Sequence, residues 1–552
     1  MPIAKIRDLG KFGVITDVDA FDLPLGAFSM GVNVRFDNNR CERGPIFRRL
    51  GSLTNQSPRH AINYKDLAGT NVLLIFNSDG TAVDWASTTD PEAPTEADIS
   101  PAAYTPADSE AIYTSTEVNN VIYVNRTDRV PWYRSKAAGG DFAEITTGAT
   151  DWPTDTRCEV LRSFGGALVG LNMTEGATSF PTKIKWSEFT SFDSLPADWD
   201  LGDPTSNAGE NILSDLGEPI TDGLPLKDRF FIYSATETWL MTLSGDNNVF
   251  NFNRLWKTNS GAISANCSVE IDGLHYVFGS NDIWFHDGVR RTSLATGAVR
   301  DFVFDGLLQS QAAQCFVHHN PALKEIIFAY VSEDAYVAWP ANTYRGCNRA
   351  ACYNYASKTW AFYDLPYATY ATLGAPFVGA SYEDTIPQTY DTIGGSYAAQ
   401  EDTSKTTTLV FSEEGGATLP SYVRTFDKPR SSVVAGAVDE VATTPSVLEM
   451  LGIDLDGLGD SIELRGYKII RSIYPQMRLD PASEAPEFTF GGSDYNVTAP
   501  TYSAGQTYDG IENYKLDYNT PGRYLAMQMT YDDYKEFSLT GLDLDLVVTG
   551  AR

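Results

Sequence analysis

Leu274-His275-Tyr276-Val277-Phe278, the turn Gly279-Ser280-Asn281-Asp282, then Ile283-Trp284-Phe285: the fold turns on how this stretch is read. Two short runs of aromatic and β-branched residues flank a Gly/Asn/Asp turn, which is the pattern of a β-hairpin. The pattern recurs. Val72-Leu73-Leu74-Ile75-Phe76 leads through Asn77-Ser78-Asp79-Gly80 to Trp85. Val121-Ile122-Tyr123-Val124 leads to Val130-Pro131-Trp132-Tyr133, and Ala167-Leu168-Val169-Gly170-Leu171 leads to Lys183-Ile184-Lys185-Trp186. Arg229-Phe230-Phe231-Ile232-Tyr233 precedes Thr238-Trp239-Leu240, and Glu325-Ile326-Ile327-Phe328-Ala329-Tyr330 precedes Trp360-Ala361-Phe362-Tyr363. The spacing of these runs is roughly 45–60 residues, the length of a propeller blade. A four-stranded blade cannot bury both faces alone, and large aromatics at equivalent positions fill the wedge between neighbours. We therefore expect an all-β chain with a β-propeller of six or seven blades over 61–420. The runs near 72, 121, 167, 229, 274 and 325 should be the first strands of its blades. Trp85, Trp132, Trp186, Trp239, Trp284 and Trp360 should be buried at related places. A strand at Thr407-Leu409-Val410-Phe411 should open or close the last blade.

Two regions fall outside the repeat. Positions 1–60 read as an extended N-terminal arm with turns, and Arg35, Arg40, Arg43, Arg48 and Arg49 make it the one clearly basic stretch. Positions 421–552 read as a second, sandwich-like β domain. Its strand patterns are Ser461-Ile462-Glu463-Leu464, Lys468-Ile469-Ile470, Glu487-Phe488-Thr489-Phe490, Tyr524 to Met529 and Phe537 to Val548.

Charge narrows the function. Lys+Arg is 41 against Asp+Glu 72, a formal net charge of −31, which argues against DNA binding by phosphate neutralisation. The acids are clustered: 66–125 and 186–226 contain no Lys or Arg at all. Such runs are usually solvated faces, but they also create a field that repels a polyanion. The six cysteines lack CxxC spacing and read as buried thiols. His318 and His319 are adjacent and would point to opposite faces of a strand. Asp454-Leu455-Asp456-Gly457-Leu458-Gly459-Asp460 with Glu463 is calcium-like, but it departs from the EF-hand loop and reads as a solvated turn. Ser78-Asp79-Gly80 has its residues contiguous and reads as a hairpin turn, not a sialidase-type box. No GxSxG or P-loop is present. We expect no enzyme activity, no metal and no cofactor. No signal-peptide core and no run of about 18 apolar residues appears, so a soluble protein made in the cytosol is expected.

Several stretches resemble one family. Leu23-Pro24-Leu25-Gly26-Ala27-Phe28-Ser29-Met30-Gly31-Val32-Asn33-Val34-Arg35-Phe36, then Arg43-Gly44-Pro45, is similar to the opening of short-tailed-phage tail proteins. His275-Tyr276-Val277-Phe278-Gly279 with Ile283-Trp284-Phe285-His286-Asp287-Gly288 resembles one of their blades. Tyr353-Asn354-Tyr355 with Trp360-Ala361-Phe362-Tyr363-Asp364-Leu365-Pro366 resembles a strand pair, and Arg523-Tyr524, Gly541 to Asp545 and Gly550-Ala551-Arg552 resemble their ending. The order of these motifs spans nearly the whole chain. The family is the tail nozzle or tail-hub group of short-tailed bacteriophages, which includes tail tubular protein B and the packaged-DNA stabilisation proteins. The resemblance implies a structural virion protein in a homohexameric ring below the portal. It implies a channel that passes dsDNA without specific binding, contact with a tail adaptor and possible contact with a tail fibre or needle. On that reading Asp90, Glu92, Glu96 and Asp98 are candidate channel-facing acids. Arg35, Arg40, Arg43, Arg48 and Arg49 are candidate adaptor contacts, and the insertions at 86–110 and 366–405 are candidate gates. The alternative is a glycan-binding or glycan-cleaving propeller acting as a receptor-binding protein.

Overall fold

A computed structural model describes residues 3–53, 57–67, 71–86, 95–101, 111–147, 151–200, 205–244, 249–335, 346–374, 407–412, 421–427, 441–442, 444–453, 455, 466–481, 483–496 and 498–550. Five four-stranded antiparallel sheets follow one another, made of consecutive strands from Pro58–Lys65 through Arg291–Ser293. A sixth blade follows from Phe316–Asn320, Glu325–Tyr330, Cys347–Asn354 and residues 359–364 of the long strand Thr359–Gly374. That strand then changes partner. Pro366 lacks an N–H for the ladder, and Tyr367 turns the backbone with φ 50. Residues 368–374 become the first strand of a seventh blade, paired with Thr407–Ser412 and then Ser421–Asp427.

The seventh blade lacks a fourth strand of its own. Ile46–Leu53, from far upstream, fills the place, with Leu53 opposite Ser421 and Ile46 opposite Asp427. The first strands of the blades, Pro58–Lys65, Tyr113–Val118, Thr156–Phe164, Ile220–Leu226, Ser268–Ile271, Phe316–Asn320 and residues 368–374, contact one another in cyclic order, the last against the first. The fold is thus a closed seven-bladed β-propeller, and the strand at 407–412 is the second of its last blade.

Two sequence expectations need correction. The runs near 72, 121, 167, 229, 274 and 325 are second strands, because the true first strands are more polar and lie before them. Trp85, Trp132, Trp186, Trp239 and Trp284 all sit in third strands, whereas Trp360 sits in the fourth strand of its blade. All six are buried, as expected, and Trp360 packs against Phe328 and Tyr353 of its own blade.

Positions 1–60 are not an arm. Ile3–Arg7 pairs with the C-terminal strand Phe537–Gly550, Ile3 opposite Asp545. Val34–Asp37 and Arg40–Arg43 form a hairpin on the same strand. With Tyr467–Leu479 and Leu516–Gly522 they make one sheet of a β-sandwich. Met30–Val32, Ser446–Ile453, Tyr524–Tyr531 and Glu487–Ser493 make the facing sheet. The expected C-terminal domain is therefore present, but its start at 421 is wrong: Ser421–Asp427 belongs to the propeller, and the sandwich borrows strands from the N-terminus. Leu542, Leu544 and Leu546 are fully buried while Asp543 and Asp545 between them are half-buried, the period-two alternation of a strand with one face in the core. The patterned residues 461–464 lie outside the described residues.

Candidate functional site

The joint between propeller and sandwich is built from the stretches that carry the family resemblance. Val32 pairs in parallel with Phe362, so the sandwich continues the sixth blade sideways. Asn33 stands beside it with φ 55, a backbone state that Asn tolerates. Its Nδ2 donates to the Pro445 carbonyl at 2.9 Å, and its Oδ1 accepts from the Asp364 N–H at 2.9 Å. Its carbonyl accepts from Arg43 Nη1 at 2.8 Å and Ser446 Oγ at 2.8 Å. Gly44 runs so close that a Cβ there would lie 2.6 Å from the Asn33 carbonyl carbon. Arg35 donates through Nε to Glu325 Oε1 at 3.1 Å, through Nη1 to Glu42 at 3.0 Å and through Nη2 to the Leu323 carbonyl at 3.2 Å. Tyr363 donates to the other oxygen of Glu325 at 3.0 Å. Burial opposes the charge on Arg35, and the carboxylates of Glu325 and Glu42 outweigh it, so the guanidinium stays ionised.

These contacts overturn part of the expected adaptor site. Arg35 and Arg43 are both buried, and Arg43 is bonded to the carbonyls of Asn33, Thr444 and Asp533. Burial lowers the Arg43 guanidinium to about 10. Both are joint residues and offer no surface to a partner. Arg48 and Arg49 are half-buried on the closing strand of the seventh blade, where Arg49 stacks 4.5 Å over Tyr422. Arg40 is half-buried beside Arg478, on the rim of a groove of about 400 Å³.

Of the expected channel acids, Glu96 and Asp98 lie on Thr95–Asp98, the outermost strand of the first blade, with Asp98 exposed. Asp90 and Glu92 lie outside the described residues, as do Asp454, Asp456, Asp460 and Glu463. Of the second acidic stretch, Asp193, Asp200, Asp215 and Glu218 are exposed, while other members are held in the fold. Glu210 pairs with Lys183 at 2.8 Å and Lys185 at 3.3 Å, and Asp198 is buried.

Asp222, from that same stretch, belongs to a polar cluster on the propeller axis that the sequence reading missed. Arg162 Nε donates to Asp222 Oδ1 at 2.9 Å, and Nη2 donates to Asp222 Oδ2 at 3.0 Å and Asn266 Oδ1 at 3.1 Å. Nη1 donates to the Ser115 carbonyl at 3.2 Å. Asn266 Nδ2 then donates to the Tyr113 carbonyl at 2.9 Å, from the fifth blade to the second. In a seven-membered ring those blades are nearly opposite, so the axis is bridged. His60, from the first blade, lies 2.8 Å from Ser115 Oγ, with its ring 4.2 Å from that of Tyr370. The available signal was a charge directly after apolar residues in each strand pattern, Val160-Leu161-Arg162 and Ile220-Thr221-Asp222.

A second buried relay joins blades four and five. His275 Nε2 faces the Pro225 carbonyl at 3.0 Å and must donate to it, so its Nδ1 accepts from the Tyr233 hydroxyl at 2.7 Å. His286 Nδ1 accepts from the Gly288 N–H, so its Nε2 donates to the Tyr233 oxygen at 2.7 Å. The chain of donors runs one way only with both imidazoles neutral. Among the described residues no cluster of three His, Cys, Asp or Glu is placed to hold a metal ion.

No family model matches the chain, and no curated protein is similar to it in sequence. Among solved structures, the chain is similar to the WD40 domain of Neurospora crassa Pan2 at 6% identity and TM-score 0.37, over 70% of this chain and 98% of that one. It is similar to the computationally designed Ika8 protein at 9% identity and TM-score 0.34, over 69% and 99%. A functionally unknown protein from Desulfotomaculum acetoxidans DSM 771 matches at 9% identity and TM-score 0.31, over 53% and 84%. The blade count stands on this chain's own strand pairing.

Proposed function

We propose that the chain is a structural virion protein, one subunit of the nozzle or hub ring of a short phage tail. In that role it lines a DNA exit channel and helps hold the packaged genome until ejection. The observation that carries the reading is the joint: Asn33, Arg35, Gly44, Phe362, Tyr363 and Asp364 belong to the motif stretches that suggested the family, and they meet in one hydrogen-bonded cluster. Motifs far apart in sequence that assemble one architectural unit are what a shared fold, rather than chance, would leave.

The axial bridge from Asn266 to Tyr113 bears on where DNA would pass. A duplex would not thread the propeller; the conduit would be the axis of a ring of copies. On this reading Glu96 and Asp98, on the outermost strand of the first blade, would face the lumen or a neighbouring copy. Six chains at −31 each would give a wall that does not adsorb a polyanion. Arg40, Arg48 and Arg49 remain as adaptor contacts.

Native mass spectrometry of the purified chain, alone and with the adaptor, tests the reading. A six-copy ring, or a ring formed on the adaptor, supports it. A monomer at tens of micromolar that ignores the adaptor and is stabilised by sugars would overturn it in favour of the glycan-binding alternative.

A further inference from the structure

The fourth strands of the blades form the outer rim of the propeller, and their charges are unevenly placed. Phe250–Trp256 and Arg291–Ser293, the fourth strands of blades four and five, lie in the stretches 249–269 and 288–299. Those stretches carry Arg254, Lys257, Arg290 and Arg291 and no Asp or Glu. All four cations are exposed. Asp246 lies outside the described residues and belongs to neither stretch. Arg291 Nη1 donates to the Thr258 carbonyl at 3.0 Å, beside Lys257, so the two strands share one edge. Arg254 donates to the Asp215 carbonyl at 3.3 Å and lies 3.8 Å from Glu237. Lys257 and Arg290 make no ion pair among the described residues. Glu237, Asp282 and Asp287, beside this edge, accept from Trp239 Nε1, Ser293 Oγ and the Arg290 N–H. Leu243 and Val289, on the same outer hairpins, are 60% and 67% exposed.

The far rim has the other sign. Thr95–Asp98 and Ala143–Glu144, the fourth strands of blades one and two, carry Glu96, Asp98 and Glu144, with Asp141 just ahead of the second. No Lys or Arg falls in 95–101 or 137–147. The Phe142 N–H donates to the Ile99 carbonyl at 2.8 Å, which brings the exposed Asp98 and Asp141 onto one edge. In a ring of seven, the junction of blades one and two is nearly opposite that of blades four and five.

We infer that the basic edge of blades four and five docks the acidic edge of blades one and two on a second copy of the chain. Unlike edges on opposite sides of one disc make a head-to-tail contact, which repeats until a ring closes or a line grows. Complementary charge steers such a contact and fixes its register. Exposed cations also guard sheet edges against pairing, but a guard needs no exposed apolar neighbours such as Leu243 and Val289. The inference rests on the reading of the chain as a ring subunit, and it assigns the surface on which neighbours meet.

Sedimentation velocity of the full chain at tens of micromolar should show association at low salt that weakens at high salt, where the charges are screened. Lys257→Glu with Arg290→Glu cancels the basic edge and keeps the acidic one. Asp98→Lys with Asp141→Lys cancels the acidic edge and keeps the basic one. Each double variant alone, with unchanged circular dichroism, should associate about tenfold more weakly. Mixed in equal amounts they hold one intact pair of edges, so they should form dimers that grow no further. A chain that stays monomeric at low salt overturns the inference, and a ring formed on the adaptor would still uphold the subunit reading. Association that survives in either double variant, or folded variants that fail to pair when mixed, also overturns it and leaves the ring to another surface.

Discussion

Arg35 and Glu325 are 290 positions apart in the chain and meet in the joint with almost no exposure. Removing one member of a buried pair leaves the other charge without its partner, which costs about 3–5 kcal/mol. Arg35→Leu is therefore expected to lower the unfolding free energy by that amount, with Tyr363→Phe costing about 1 kcal/mol; urea melts of the two variants check the ranking. The buried histidines make a second prediction. Burial lowers His60 to about 3, aided by Arg162, His275 to about 4, and His286 to about 3, aided by His275, all from 6.5. A folded-state pKa below the unfolded one means that the unfolded chain takes up protons first. The stability these groups contribute is complete above pH 6.5 and is lost as pH falls through 6.5 toward 4 and 3. Each is worth about 1–2 kcal/mol between pH 7 and pH 5. Partial neutralisation of a −31 chain relieves repulsion and acts the other way, so the comparison is internal: His286→Gln should show a smaller loss of stability between those pH values than the parent. An equal loss in both would refute the neutral relay. Neither the joint nor the axis was legible as a site in the sequence. Their partners come from different blades or opposite ends of the chain, and no spacing rule links Arg162 to Asp222 and Asn266.

Elements were more legible than their order. Hairpins announce themselves locally, through a turn such as Asn77-Ser78-Asp79-Gly80 between apolar runs, where Asp79 accepts from the Thr81 N–H at 2.9 Å. Five tryptophans marked third strands for the same local reason: each faces a second-strand residue such as Val277 opposite Trp284. First strands were missed because they line the axis, where polar residues such as His60, Ser115 and Arg162 break the apolar pattern. The borrowed strand Ile46–Leu53 was unreadable, since its pairing with Ser421–Asp427 depends on a partner far downstream. Trp284→Ala should cost about 3–5 kcal/mol, because the ring packs 5.9 Å from Trp256 across the blade junction with 1% of its surface exposed. Leu50→Pro, at a buried position of the borrowed strand, should open the ring at one seam. Hydrogen exchange is expected to rise in 368–374, 421–427 and 58–65 while blades three to five stay protected; uniform loss of protection would show that closure is not a separate unit.

At the scale of the whole molecule, the bridged axis closes the bore, and the acidic residues at the edge of the first blade lie outside it. If the charge serves a conduit, lysine substitutions at Glu96 and Asp98 should slow DNA ejection from assembled particles, most at low salt, where fields reach furthest. Unchanged ejection rates would make those acids a matter of solubility alone. The strand exchange between the ends of the chain has one more consequence. Residues 3–53 leave the ribosome well before their partners at 421–427, 446–453 and 537–550. Apart from the local hairpin of Val34–Asp37 with Arg40–Arg43, the early strands wait for partners hundreds of residues downstream, so contact order is high and maturation is slow and exposed to misassociation. Blades two to five, built from local hairpins, are free to form during synthesis; the seam and the sandwich set the last step. With Ile3 opposite Asp545, the two ends finish side by side. A short linker joining them, with new ends opened between blades, would turn the late encounter into a local one and should speed refolding.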